Sequence, residues 1–351
     1  MPPKNTIHHF FNNISSSVKP KHQSLVDFGL NAYSLAPYTS AAGNARKIIP
    51  KYASACRKSE RLLANQQIGD ELNAALLSLV QIKPSSIINV DHTDSDLLTS
   101  LIGAVQSRKG RAIPVFVEST YGNNIPSFGS RHSTLRTDGL RQARQEERAK
   151  ISFSSHITDA LRAFIDRLGF TPRFAFDRGF GGTAVISFLY HAGATFYIRL
   201  KADRKLDDGT QITRAKELPN NDEAVLLDGM FLRVVRSSKS RRCAEPWCIL
   251  TNDLTSSRNK IIRIYYHRFE IEEVFKDAKN LFELRRARFN RPNSLKVILL
   301  LVFIGFAILF RLSLQKAIST LRESRSNPKH PKKALSWVRE IWEIVCLLGW
   351  R

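Results

Sequence analysis

Four residues in the run YYHRFEIEEVFKDAK could do chemistry together: Tyr265, Arg268, Glu272 and Lys279. Their spacing is Y-x2-R-x3-E-x6-K. On an α-helix, at ~100° per residue, all four fall within an arc of roughly 60°. One face then carries a carboxylate between two cations, with a phenol at its upstream end. Ile271, Val274, Phe275, Ala278 and Phe282 fall on an adjacent arc. That is the pattern of a helix packed on a core with one edge lining a polar site. A carboxylate alone could bind a metal; flanked by Arg and Lys, it suits a metal that must meet phosphate. The same spacing also occurs on solvated helix faces, where Glu pairs with Lys or Arg. The motif therefore needs partners from elsewhere in the chain.

Two aspartates are candidates. Asp91 follows the apolar run IINV and Asp177 follows RFAF, so each is expected at the end of a short strand. A carboxylate held there is rigid, as a metal site requires. Taken singly, either aspartate also reads as a cap or turn residue. With Glu272 from a helix, three carboxylates could hold two divalent cations. Oxygen donors select hard ions, which points to Mg²⁺, with Mn²⁺ as a substitute. Such a pair would activate a water or a 3′-hydroxyl and stabilise the leaving oxygen of an in-line phosphoryl displacement. Asp94 and Asp96 are alternatives to Asp91, but neither directly follows the strand; they read as loop or N-cap residues.

The elements that would position these groups can be read in order. Residues 1–24 are polar and serine-rich and are expected to be mobile. Residues 25–80 are expected to be helical, with apolar spacing in LLANQQIGDELNAALLSLV. SSIINV (85–90) and AIPVFVEST (112–120) read as strands, residues 133–150 as a charged helix, and 157–170 as an amphipathic helix with Gly169 near its end. PRFAF (172–176) is a strand. TFYIRLK, AVLLD, MFLRVV and WCILTN, within 194–252, are further strands separated by turn residues. The helix of the Tyr-Arg-Glu-Lys residues follows, then an apolar helix and a basic tail.

Composition narrows the partner. Among 351 residues, 54 are Lys or Arg and 31 are Asp or Glu, a net charge of +23. A polyanion is the natural partner, nucleic acid first and an anionic membrane surface second. Residues 1–65 alone hold nine basic residues against Asp27 and Glu60. The four cysteines (Cys56, Cys243, Cys248 and Cys346) form neither a zinc pattern nor a disulfide framework, which fits a reducing compartment. The N-terminus does not read as a signal peptide. VILLLVFIGFAILF (297–310) is 14 residues long. A membrane span needs about 17–25, so a buried core helix is expected.

These blocks together resemble the DDE transposases of the insertion sequence 4 family, which carry a Tyr-Arg-Glu-Lys signature. INVDHTD is similar to the family's first-aspartate strand, FAFDRGFGG to its second, EPWCILTND to the strand before the signature helix, and RKSERLLANQQI to part of the N-terminal region. The resemblance covers about residues 55–310. It implies an α/β fold: an RNase H-like mixed sheet flanked by helices, with a β-rich insert between the second Asp and the Glu (about 194–252) and a helical N-terminal region. The implied organisation is a mobile segment at 1–24, a helical DNA-binding region at 25–84, a catalytic domain at 85–310, and a basic helical tail at 311–351. It implies cut-and-paste transposition on double-stranded DNA: nicking at terminal inverted repeats, hairpin formation in many members, then strand transfer to target DNA. It implies two Mg²⁺ held by Asp91, Asp177 and Glu272, with phosphates gripped by Tyr265, Arg268, Lys279 and, more weakly, Arg178. A homodimer on DNA and a cytoplasmic, nucleoid-associated location go with it, and no membrane. A nuclease without strand transfer and a non-catalytic DNA-binding remnant are the alternatives. Trp247, the one tryptophan of the insert, could stack a flipped base but is better placed for core packing.

Overall fold

The structure is a computed structural model. It describes residues 3–35, 38–95, 98–108, 110–121, 153–207, 211–218, 221–238, 246–280, 282–284 and 288–313. The helix expected at 133–150, Asp96, and all but the first residues of the expected 311–351 tail lie outside the described residues.

The chain opens with five helices: α1 (Pro3–Ser17), α2 (Pro20–Tyr33), α3 (Ala41–Arg46), α4 (Tyr52–Ala64) and α5 (Gln66–Ser78). The first lies in the segment expected to be mobile. Its apolar residues recur at helical spacing, and Ile7, Phe11 and Ile14 are buried, so burial of one stripe holds it despite its serines. Asn65 caps α5, its side chain accepting from the Ile68 N–H.

Three strands follow: β1 (Ile87–Ser95), β2 (Leu98–Val105) and β3 (Ile113–Tyr121). Next come α6 (Phe153–Leu168), β4 (Arg173–Phe176), a 3-10 turn (Arg178–Phe180) and α7 (Thr183–His191). Six more strands follow: β5 (Phe196–Leu200), β6 (Lys205–Asp207), β7 (Ile212–Arg214), β8 (Asp222–Leu227), β9 (Met230–Arg236) and β10 (Cys248–Thr251). The described chain closes with α8 (Arg258–Tyr266), a 3-10 turn (His267–Phe269), α9 (Glu270–Asn280) and α10 (Pro292–Ser313).

The ten strands of the described residues form one mixed sheet in the order β3-β2-β1-β4-β5-β10-β9-β8-β6-β7. The β1–β4 and β4–β5 pairs are parallel; the other pairs are antiparallel. The β-rich segment expected within 194–252 thus continues the central sheet through β5 and β10. Its β8–β9 hairpin turns at Asp228-Gly229, both with positive φ, the Asp-Gly signal of a tight primed turn.

Alternation along β1 assigns the two faces of the sheet. Ile88 and Val90 face a core shared with α6 and α7, which contribute Leu161, Phe164, Ile186 and Leu189. Ile87 packs on the other face, with Ala175, Tyr197, Trp247 and the α8 residues Ile261, Ile264 and Tyr265. Toward β2 and β3, Leu98, Ile102, Ile113 and Val117 join the largest core, with α1–α5, α9 and α10. The N-terminal helices therefore share a core with the sheet. Asn73 on α5 grips β3 in both directions, donating to the Val117 carbonyl and accepting from its N–H. Lys296 on α10 pairs with Asp70 and Glu118, each at 2.9 Å.

Among the described residues, α10 is the one helix long and apolar enough to cross a membrane, and 83% of its most apolar stretch is buried within the protein. It is a core helix, somewhat longer than the apolar run 297–310 suggests.

Candidate active site

The register of the two central parallel strands builds the site. Val90 on β1 pairs with Phe176 on β4, so the next residues, Asp91 and Asp177, stand side by side. Neighbouring strands run about 4.8 Å apart, and residues in register on parallel strands point to the same face. Alternation from Ile87 and Asn89 puts Asp91 on the face covered by α8 and α9. Asp177 keeps extended backbone (φ −76°, ψ 171°) before the chain turns at Arg178. Asp91 is not at a strand end as the sequence suggests. It lies inside the nine-residue β1, which runs on through HTDS because those polar residues pair in a hairpin with β2.

Glu272 comes from the first turn of α9. The continuous helix expected over the signature is interrupted by the His267–Phe269 3-10 turn, and this turn carries Arg268 inward. Its guanidinium donates from Nη1 to Asp91 Oδ2 at 2.9 Å and from Nη2 to Glu272 Oε1 at 2.6 Å. Arg268 is only 3% exposed. Its cation lies over the Phe269 ring at 4.6 Å and near the Tyr265 ring at 5.8 Å. Trp247 packs edge-on against Tyr265 and tilted against Phe269, at 5.2 and 5.5 Å. Trp247 is thus a buried core residue, as its sequence position favours.

Burial pushes the Asp91 carboxyl up to about 6. Arg268 and the His92 N–H oppose that rise, while the charges of Asp177 and Glu272 add to it. Burial works against charge on Arg268 too, but Tyr265 and the three carboxylates keep it protonated. Burial likewise holds the Tyr265 phenol protonated. His92 points to the opposite face, stacked on Phe180 at 4.6 Å, which pins the turn after Asp177 to β1. Burial drives its imidazole down to about 4 and keeps it neutral.

The residues expected at phosphates are placed unevenly. Tyr265 is fully buried, and its hydroxyl meets no hydrogen-bond partner among the described residues. Direct phosphate contact does not match that position; Tyr265 forms the aromatic floor behind Arg268. The reason is local: α8 packs its Tyr265 face on β5 and β10 before the chain tightens into the 3-10 turn. Lys279 is half-buried and lines a cavity of about 360 Å³ with Asp94, Phe275, Arg288 and Phe289. Arg178 is exposed and lines a second depression with Arg199 and Lys201. Asp94 accepts from the Thr99 hydroxyl at 2.7 Å across the β1–β2 hairpin.

Sequence reasoning missed the groups that fix the 3-10 turn against β1. Asn89, fully buried two residues before Asp91, donates to the His267 carbonyl at 3.0 Å. Gln106 donates to Asn89 Oδ1 and to the Ile264 carbonyl. Glu270 accepts from the Ser107 N–H at 2.9 Å and meets His267 Nδ1 at 3.1 Å. An amide inside the apolar run IINV, in alternation with Asp91, was the available signal.

As they stand, no three acidic, histidine or cysteine side chains come together closely enough to hold a metal among the described residues. The donor chemistry nevertheless suits a hard cation. Asp177 and Glu272 act electrostatically on Asp91, all three carboxylates act on the Arg268 guanidinium, and a single cation leaves the set net negative.

Residues 150–306 match the family model described as Transposase DDE domain. No curated protein matches the chain. Among solved structures, it is similar to Marinitoga piezophila Argonaute in complex with 5′ OH guide RNA, at 10% identity and a TM-score of 0.24, over 65% of this chain and 37% of that one. It is also similar to A. aeolicus Argonaute, at 9% identity and a TM-score of 0.25, over 73% of this chain and 37% of that one. The chain thus spans little more than a third of either. The segment that matches the Transposase DDE domain runs from before α6 to within α10 and contains Asp177 and Glu272, with Asp91 outside it.

Proposed function

We propose that this protein is a DNA transposase of the insertion sequence 4 family, with an RNase H-like catalytic sheet. It nicks phosphodiester bonds at the ends of a mobile element and joins the freed 3′-hydroxyls to target DNA. The observation that carries the reading is the meeting of Asp91, Asp177, Glu272 and Arg268 on one face of a mixed sheet, in a chain whose residues 150–306 match a transposase domain. In this reading Asp91, Asp177 and Glu272 hold two Mg²⁺ ions, or Mn²⁺ in their place. When bound, such ions lower the pKa of an attacking water and stabilise the leaving oxygen. Asp91 and Asp177 offer rigid oxygens because their strands are locked in register. Glu272, 43% exposed at its side chain, is the solvent-facing donor. Lys279 and Arg178 present point and fork charges to the DNA on either side, and the partner is double-stranded DNA engaged by a homodimer. The protein works in the cytoplasm, at the nucleoid.

The test uses a plasmid carrying the DNA that flanks the coding region, incubated with the protein and Mg²⁺, with the cut ends mapped. Cuts at paired inverted repeats are expected. They should disappear in Glu272→Gln, and Asp177→Ala should abolish cleavage while keeping DNA binding. Scattered nicks would instead indicate a nuclease without strand transfer, and binding without cutting a DNA-binding remnant. Cleavage by Asp177→Ala would overturn the metal-site assignment.

A further inference from the structure

The guanidinium of Arg268 occupies the place where a cation shared by Asp91 and Glu272 would act. It bridges a carboxylate on β1 and another on α9, at 2.9 and 2.6 Å, from an almost fully buried position. Arg268 Nε takes no part in the bridge; it is buried beside the Tyr265 hydroxyl, so only the two terminal nitrogens hold the carboxylates. Glu272 is the exposed end of the bridge, and it sits four residues from Arg268 on the adjoining helical turn, so the contact can open with little backbone movement.

We propose that Arg268 is an internal counter-cation, holding Asp91 and Glu272 until a divalent ion takes them over. Ion entry and release of the guanidinium toward DNA phosphate are then a single event. The inference rests on the reading of these carboxylates as metal ligands. It adds that the metal-free protein is held in a closed arrangement by its own phosphate-binding residue. No bond is made or broken: two ion pairs exchange for metal–oxygen contacts, and the arginine stays charged.

The full-length protein, free of DNA, is titrated with Mn²⁺ and the free ion followed by electron paramagnetic resonance. Arg268→Gln removes the competing charge and should bind Mn²⁺ about tenfold tighter or more, given a unit charge at contact distance from the ligands. Arg268→Lys should stay near the wild type. A static clamp predicts the opposite sign, since the ligands would splay without it. Equal or weaker binding by a folded Arg268→Gln protein overturns the proposal. Binding that Asp177→Asn abolishes, but that Arg268→Gln leaves unchanged, would sink this inference and keep the metal site. Absence of Mn²⁺ binding in wild type and Arg268→Gln alike would remove both. Should Arg268→Gln fail to fold, the wild type still decides. Phenylglyoxal labelling of Arg268, read by peptide mass spectrometry, should be slow without Mn²⁺ and several-fold faster with it, and an unchanged rate overturns the proposal.

Discussion

Asp91 shows how one strand position converts an ordinary carboxyl into a group poised near neutral pH. The residues before it on β1 are buried, its face is covered by the signature segment, and two further carboxylates adjoin it. Burial raises its pKa from 3.8 to about 6, and Arg268 only partly offsets this. A raised carboxyl pKa means that the folded state holds the proton more tightly than the unfolded state. Its stabilising contribution is complete below about pH 4 and is lost as pH rises through about 6. In metal-free buffer the melting temperature should fall over that window. Asp91→Asn cannot ionise, and it should remove this component and gain of order 2 kcal/mol at pH 7. Thermal melts at pH 4, 5, 6 and 7 in chelator test this, and parallel curves for the two proteins would refute it. Asp91 and Asp177 stand out in the sequence by the apolar runs before them, and Glu272 by its spacing to Tyr265, Arg268 and Lys279. The burial of Arg268 and Tyr265 does not. Their helical spacing gives one polar face, yet α8 packs Tyr265 on β5 and β10, and the 3-10 turn carries Arg268 inward to Asp91.

At the scale of elements, the sequence was clearest where one period ruled a segment. Gly169, with φ +70°, ends α6 as expected, and the Asp228-Gly229 turn sets the β8–β9 register. It was opaque where two elements had to meet first. LTSLIGAV has no alternation because β2 is buried on both faces, so its eight residues carry no period-two signal. The break between α8 and α9 is written in tertiary contacts from Asn89, Gln106 and Glu270, not in a local glycine or proline. The packing of α10 on α2 is tightest at Gly305. A Cβ at Gly305 would collide with the Ser34 carbonyl oxygen just beyond α2. In a free helix, glycine to alanine stabilises by up to about 1 kcal/mol. Here the collision is with backbone, which cannot swing aside as a side chain can. Gly305→Ala should therefore destabilise, by about 1–3 kcal/mol, the range for an overpacked core. Denaturant unfolding gives the sign directly, and a more stable variant would show that the two helices are not in such close contact.

Across the described residues, a group of exposed cations lies on helices that share a core with the sheet. The largest core joins α1–α5 to the sheet, so the basic N-terminal helices form one body with the site instead of hanging from it by a linker. Arg46, Lys47, Lys51, Arg57 and Arg61 are exposed on α3, α4 and the link between them, and Tyr52, 62% exposed, stands among them. Exposed cations interleaved with an aromatic suit a phosphate backbone better than a specific protein partner. Composition alone points to a polyanionic partner, whereas the shared core has no signal in the sequence, because it depends on α10 lying between the N-terminal helices and β3. Binding through such a surface releases the counterions condensed on DNA. For about six phosphate contacts, the logarithm of the association constant should fall with the logarithm of salt concentration at a slope near −5. The double variant Lys47→Glu, Lys51→Glu should reduce that slope by about 2 and weaken binding to all sequences alike. Fluorescence anisotropy on a short duplex across a salt series measures both quantities. A flat response in the wild-type protein would contradict the nucleic-acid reading, and a loss confined to one sequence would place these lysines at base edges instead of phosphates.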